Sequence, residues 1–465
     1  MSFVVYDLIL FALFTLGVVI FLYTRKHNLK REGIIYLYRT KIGLKLIDWF
    51  GEKHKNWLKP LQYVVLACGY SLMVGMVYLL AKISYIYISS PYIAKALKVP
   101  VIFPLIPYLP QIFNISFLPP FYFTYWIIII ALIAIPHEFA HGIFAKLNKI
   151  RIKSTGFGFL GPFLAAFVEQ DEKQMQKASK FAQLSILAAG TFANILVMIL
   201  FGLLFWAFFV GTFTPAGVIF SGYAASVVNI TNISTINGVP LENFNLDSLP
   251  NVTYVNFTSE NMTYYTTPDA LRQTYSNNIS LLVGYDDSPA FNAQIQGPIS
   301  SIGGQPTLSY EELKSAIVAH KPGDEVSVTT IGINGTNQYE VKLGNLSGQA
   351  FLGVGVTPVQ GSGAFGWIYN ILAYIKNPYV YYTSLWGDFG IFIYNLLWWI
   401  VIISLSVALT NMLPMGIFDG GRFFMLTVWG ITGSKKVGEV AFKWATWIIL
   451  ALLAVLMIKW AFTLF

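Results

Sequence analysis

Two histidines four residues apart bracket a glutamate in the stretch Pro136-His137-Glu138-Phe139-Ala140-His141. On a helix, positions i and i+4 share one face, so His137 and His141 can offer their imidazoles to one metal ion. Neutral imidazole nitrogen is a favoured zinc donor. Glu138, beside it, can take a proton from water acidified by the metal, which is the arrangement of a hydrolytic zinc site. Such a site needs a third protein ligand. The candidate is Asp419, in Asn411-Met412-Leu413-Pro414-Met415-Gly416-Ile417-Phe418-Asp419-Gly420-Gly421. There an apolar run ends, glycines let backbone approach a metal, and the acid supplies a hard oxygen. Asn194 and Asn411 are candidates to hydrogen-bond a substrate backbone or a developing oxyanion, with helix-to-helix hydrogen bonding the alternative use of each.

The elements that must hold these groups are membrane spans. Of 465 residues, 55% are hydrophobic and 11% charged, which excludes an ordinary soluble enzyme. Apolar runs near 3–23, 62–90, 120–146, 181–210, 388–412 and 441–463 each suit a helix crossing about 30 Å of hydrocarbon. The first, Phe3 to Tyr23, has neither a charged leader nor a small-residue cleavage site and is expected to be a retained span. Ten lysines and arginines crowd the interval from Arg25 to Lys59, which marks loop 24–60 as cytoplasmic. Alternation then puts both termini, 91–119 and 211–387 outside, and 147–180 and 413–440 inside. Eleven acids against four bases in 211–366 agree with that orientation, as do nine Asn-x-Ser/Thr sequons, all in segments placed outside. The formal charge of +8 is gathered in the inner loops, so nucleic acid is not an expected partner. A single cysteine, Cys68, rules out a disulfide within the chain and a cysteine-based zinc knuckle.

Depth selects the third ligand. His137 lies roughly 25 Å into a span that starts outside, near the inner face, at 1.5 Å per residue. Asp419 follows its span at that same face, whereas Asp388 begins the span about a bilayer away.

Within the outer segment, residues 224–240 align without a gap to 290–306. The second copy continues with helical spacing over Tyr310–Val318, a Lys321-Pro322-Gly323-Asp324 turn, and alternating runs at 325–330 and 338–343. With Ser288-Pro289-Ala290 and Ile299-Ser300-Ser301-Ile302-Gly303-Gly304-Gln305-Pro306, this order resembles a PDZ domain of membrane-associated proteases. The fuller module is expected at 279–358. The copy at 215–278 looks degenerate, with 243–267 read as an insertion. The resemblance implies capture of extended peptides, including peptide termini, at a sheet edge.

His137-Glu138-x-x-His141, Gly190-Thr191-Phe192-Ala193-Asn194 and Asn411-x-x-Pro414-x-x-x-x-Asp419-Gly420, in that order around an outer insertion, resemble the site-2 protease family of intramembrane zinc proteases. The resemblance covers about 115–465. It implies one catalytic zinc on His137, His141 and Asp419, Glu138 as general base, and cleavage of transmembrane protein substrates within the lipid bilayer of the cell membrane, in regulated intramembrane proteolysis. The expected fold is membrane α-helical, with about six transmembrane helices and an inserted extracytoplasmic PDZ-like α+β domain. Its parts are a two-span region at 1–90, a first core half at 115–211, the outer region at 215–358, and an interfacial helix with the second core half at 363–465. A non-catalytic receptor or scaffold with a structural metal is the alternative reading, and a metal transporter a weaker third. Both halves of Ser154–Val168, Gly- and aromatic-rich and too short to span, are expected to form a re-entrant hairpin near the zinc, or else a surface loop. Segment 363–387 is read as an interfacial helix and loop 24–60 as an orientation determinant touching anionic lipid.

Overall fold

The computed structural model describes residues 3–33, 35–89, 105–113, 115, 118–161, 163–245, 249, 252–277, 279–332, 335–355, 373 and 376–462. The helices discussed below are α1 (Phe3–Thr24), α2 (Leu44–Lys53), α3 (Lys55–Ser89), α4 (Phe123–Leu147), α5 (Lys180–Thr212), α6 (Tyr310–Val318), α7 (Gly387–Asn411), α8 (Asp419–Thr432) and α9 (Lys435–Ala461). Among the described residues, six of these are long and apolar enough to cross a membrane: α1, α3, α4, α5, α7 and α9. They fall on the six expected runs, although α3 starts earlier and takes in Lys55 and Lys59 at its charged end.

The chain divides into two compact units, 1–208 with 391–465, and 209–390. The first is the membrane unit. Its main core gathers Val65 and Leu72 of α3, Phe144 and Ala145 of α4, Ile186 and Ala188 of α5, Ala408 of α7 and Phe423 of α8. A second core joins Tyr125, Trp126 and Ile129 of α4 to Trp399 and Ile400 of α7. Lipid offers no hydrophobic driving force between helices, so these contacts hold the bundle by close packing and by the polar links described next.

One such link is Asp7 of α1, which is 2% exposed in a helix otherwise apolar. Its carboxylate accepts hydrogen bonds from the Phe123 and Thr124 amides at 2.7 and 2.9 Å, and from the hydroxyls of Thr124 and Tyr108. Phe123 and Thr124 open α4, where amides have no partner inside the helix and the helix dipole favours an anion. A neighbouring helix thus caps the one that carries His137 and His141. Asp7→Ala should lower stability by about 2–3 kcal/mol, because buried donors lose their acceptor. Asp7→Asn should lose less, read by denaturant titration of the purified protein.

The membrane unit also holds a four-stranded antiparallel sheet in the order β1 (Leu29–Glu32), β2 (Ile35–Thr40), β3 (Ile152–Leu160), β4 (Phe163–Gln170). Strands β3 and β4 are the hairpin expected over Ser154–Val168. Strands β1 and β2 lie in loop 24–60, which thus supplies half of this sheet, a pairing that the reading of it as an orientation determinant did not include. The pairing is held across strands by Arg39 on β2, whose Nε donates to Glu169 on β4 at 2.8 Å while the Ser154 hydroxyl donates to the same carboxylate at 2.7 Å. Strand β4 pairs only with β3, so its other edge is free of strand partners among the described residues.

The second unit is rich in strands: β5 (Phe213–Val218), β6 (Gly222–Tyr223), β7 (Ala225–Asn229), β8 (Ile233–Ile236), β9 (Val239–Pro240), β10 (Val255–Ser259), β11 (Met262–Thr266) and β12 (Leu281–Asp286). There follow β13 (Ile299–Ile302), β14 (Gln305–Pro306), β15 (Glu325–Gly332), β16 (Gly335–Lys342), β17 (Gly344–Leu346), β18 (Gln349–Phe351), β19 (Val354–Gly355) and β20 (Val380–Ser384). One sheet runs β7-β12-β11-β10-β8-β9 and another β16-β15-β13-β5-β20, with β14 on β13.

The internal repeat reappears as strand register. Ile233, Thr235 and Ile236 face Ser259, Thr258 and Phe257, with a register shift after Ile233. Ile299, Ser301 and Ile302 face Thr330, Thr329 and Val328, with the shift at the equivalent step. Residues 255–266, read as part of an insertion, are therefore the counterpart of β15 and β16. Their Asn- and Thr-rich composition weakens the apolar alternation that identifies a strand. The expected division at 278/279 is crossed by pairing of β7 with β12. Of the interfacial helix expected at 363–387, residues 363–372, 374 and 375 lie outside the described residues, and Val380–Ser384 is strand β20, paired with β5.

Candidate active site

The site is built on α4. Pro136 removes the amide that would bond the Leu132 carbonyl, one residue before His137, within an otherwise continuous helix. His137 and His141 lie on one face, each 7% exposed, with their Nε2 atoms 3.0 Å apart. Asp419 begins α8 and brings Oδ2 to 3.5 Å from His137 Nε2 and 3.3 Å from His141 Nε2. Two glycines allow this approach. A Cβ on Gly420 would collide with the Met412 backbone, and one on Gly421 with the Met415 carbonyl, so the turn folds directly onto the end of α7.

Helix α5 supplies the support. Its residues Ile186, Gly190 and Asn194, spaced i, i+4, i+8, form one stripe against the imidazoles. The Ile186 carbonyl lies 2.7 Å from His141 Nδ1. That contact requires Nδ1–H and leaves the Nε2 lone pair free. The Asn194 side-chain amide lies 3.0 Å from His137 Nδ1. The atom placed there is Nδ2, and Asn194 Oδ1 is buried without a partner; turning the amide by 180° lets Oδ1 accept Nδ1–H and orders His137 in the same tautomer as His141. Gly190 stands between them. A Cβ there would meet His137 Nε2 and Cε1 at 2.6 Å and come closer still to His141 Nε2.

Three electron-rich atoms thus converge, each offered by a residue that can ligate a metal. Donors about 2.0–2.2 Å from a tetrahedral zinc ion stand roughly 3.3–3.5 Å apart. The two His–Asp separations, 3.5 and 3.3 Å, fit such an ion, and the His–His separation of 3.0 Å is slightly shorter.

Glu138 follows His137 on α4, and its Oε2 accepts the Val168 amide of β4 at 2.9 Å. A cavity of about 270 Å³ opens beside it, lined by Ile130, Ile133 and Ala134 of α4, Leu164, Ala165 and Ala166 of β4, and Val407 and Asn411 of α7, together with Glu138 and His137. Asn411 reaches within 3.5 Å of His137 Nε2. Asn194 does not line this cavity. It is wholly buried behind His137, a position that runs against the expectation that it meets substrate. Residues 125–456 match the sequence model of Peptidase family M50. The chain belongs to that family, the site-2 proteases.

Six apolar helices make this a multi-pass membrane protein, and M50 is a family of site-2-type intramembrane metalloproteases. The M50 family is zinc-dependent. An uncharacterized protein of Methanocaldococcus jannaschii, MJ0971, is 35% identical over 179 residues, which is 37% of this chain and 43% of that protein. The match thus spans less than half of that relative. The M50 motifs found by sequence are all at the site. Sequence reasoning missed the Ile186 carbonyl, the Val168 amide and the cap from Asp7. The i, i+4, i+8 spacing from Ile186 to Asn194 was the one available signal for the first.

Proposed function

We propose that the chain is a zinc endopeptidase that hydrolyses peptide bonds within transmembrane substrate helices in regulated intramembrane proteolysis. His137, His141 and Asp419 would hold one zinc ion, with Glu138 as general base. The observation that carries this reading is the convergence of three donors beside a carboxylate that lines a cavity next to a free strand edge. A purely structural metal, as in a receptor or scaffold, has no use for that carboxylate or that edge.

A transmembrane helix hides its carbonyls in its own hydrogen bonds and must unwind before attack. Strand β4 can receive the unwound segment. Alternate amides of a strand point the same way, so Leu164 and Ala166 present theirs on the side where the Val168 amide meets Glu138. Added there, a substrate strand runs past Glu138 and His137 along the cavity. Zinc in this donor set supplies Lewis acidity, which polarises a carbonyl and acidifies water. Glu138 accepts the proton of the attacking water and returns it to the leaving amine. Asn411 is positioned to donate to the developing oxyanion, and Asn194 orients His137.

We place the site near the cytoplasmic face, both termini outside, and unit 209–390 outside as a PDZ-like region that screens peptide termini of substrates in the cell membrane. The paired repeat register and α6 support a PDZ-like reading, and the charge balance of the loops supports the orientation. Purified protein reconstituted with a transmembrane helix reporter should cleave it, stop after zinc is removed by a chelator, and resume on zinc addition. Cleavage that continues at full rate in metal-free protein would sink this reading.

A further inference from the structure

Where α2, α3 and the end of α4 meet there is a second concavity, of about 600 Å³, far more polar in its lining than the one beside Glu138. Lys55, Lys146, Lys149 and Arg151 line it with Asp48 and Glu52. Lys146 takes up both acids, at 2.9 and 3.1 Å. Lys55, Lys149 and Arg151 form no ion pair among the described residues. The acid near Arg151, Asp171, is occupied in accepting the Lys173 and Gln174 amides. Four cations thus face two acids across one hollow, leaving it net positive, and three of the four have no ion-pair partner among the described residues.

The helices that border this hollow also carry exposed apolar side chains. On and around α2, Ile42 is 74% exposed, Leu46 53% and Trp49 48%, and Trp57 at the start of α3 is 80% exposed. The opposite face of α2 is sealed against α4: Ile47 is fully buried, and a Cβ on Gly51 would stand 3.1 Å from the Lys146 side chain. An amphipathic helix with aromatic and aliphatic groups outward, next to unpaired lysines, is the form of an interfacial lipid contact. A small soluble anion would answer the charge and leave these exposed apolar groups unused.

We propose that this concavity binds the phosphate of an anionic phospholipid headgroup, whose apolar portion lies along Trp57 and the exposed face of α2. The phosphate is held by Lys55, Lys149 and Arg151, and Lys146 stays with Asp48 and Glu52. Because α2 packs on the turns of α4 that follow His141, the lipid site and the metal site share a helix. The proposal does not depend on the zinc chemistry.

The full chain, purified in neutral detergent and offered equal phosphatidylglycerol and phosphatidylcholine, should retain the former at least tenfold more, read by native mass spectrometry. The Lys55→Glu, Lys149→Glu, Arg151→Glu triple variant should fall to the phosphatidylcholine level. Lys435→Glu with Lys436→Glu, which reverses charge elsewhere, should not. Lys149→Arg with Arg151→Lys, which preserves charge, should keep the retention and so separates loss of charge from misfolding. Equal retention of the two lipids by wild type, or equal loss in the 435/436 variant, overturns the assignment. Full displacement of phosphatidylglycerol by millimolar inorganic phosphate overturns the lipid in favour of a free anion.

Discussion

Glu138→Gln protein should hold its full complement of zinc and lose at least about 10³-fold in cleavage rate, within the range that general acid–base groups contribute. Glutamine keeps the length and shape of the side chain, and its oxygen can still accept the Val168 amide, which Glu138 receives at 2.9 Å. The three candidate metal donors come from other residues, so the donor set is untouched. What disappears is the carboxylate that can take a proton at the wall of the cavity. Metal analysis and reporter cleavage on the same preparation read the two effects separately. Near-normal cleavage would remove Glu138 from the mechanism, whereas zinc loss alongside inactivity would move it among the metal-supporting groups.

Gly190→Ala should be as damaging to activity, by the opposite route: zinc affinity should fall at least tenfold. The added methyl would lie 2.6 Å from His137 Nε2 and nearer to His141 Nε2, in the space where the two lone pairs must meet a metal. Neither neighbour can withdraw cheaply, since the Ile186 carbonyl holds His141 and the Asn194 amide holds His137. Alanine is the better helix former by about 1 kcal/mol, so α5 itself should not suffer. Gly202→Ala is the control on the same helix, because nothing lies within 4 Å of a Cβ there. Chelator competition on both variants measures the difference. Equal zinc affinity in the two would show that the imidazoles have room the geometry denies them.

Much of this protein is legible in its sequence because two rules are local. A bilayer demands about 20 apolar residues per helix, so the spans stand out as runs. Helical periodicity puts His137 and His141 on one face, so half of a metal site can be read from a spacing of four. The glycines after Asp419 likewise announce a tight turn. Where strands are short, polar or charged, the local signal fails. Strands β1 and β2 carry Lys30, Arg31 and Arg39 and show no clean alternation; β2 becomes a strand by pairing with β3, and β1 by pairing with β2. Strands β10 and β11 are hidden by asparagine and threonine, and only the pairing of β10 with β8 shows the same register step that β15 makes on β13.

The sequence by itself determined a multi-pass membrane chain with two helical histidines, a nearby base and an acid in a glycine turn, all from patterns a few residues to one span long. Only tertiary packing decided that Asp419 stands 3.3 Å from His141, that the Ile186–Asn194 stripe braces both rings, and that β4 lays an open edge beside Glu138. It also decided that Asp7, an acid in an apolar helix, caps the start of α4. These contacts join residues far apart in the chain. They depend on how side-chain volumes and unpaired backbone groups from several helices are satisfied at once, which no single stretch of sequence specifies.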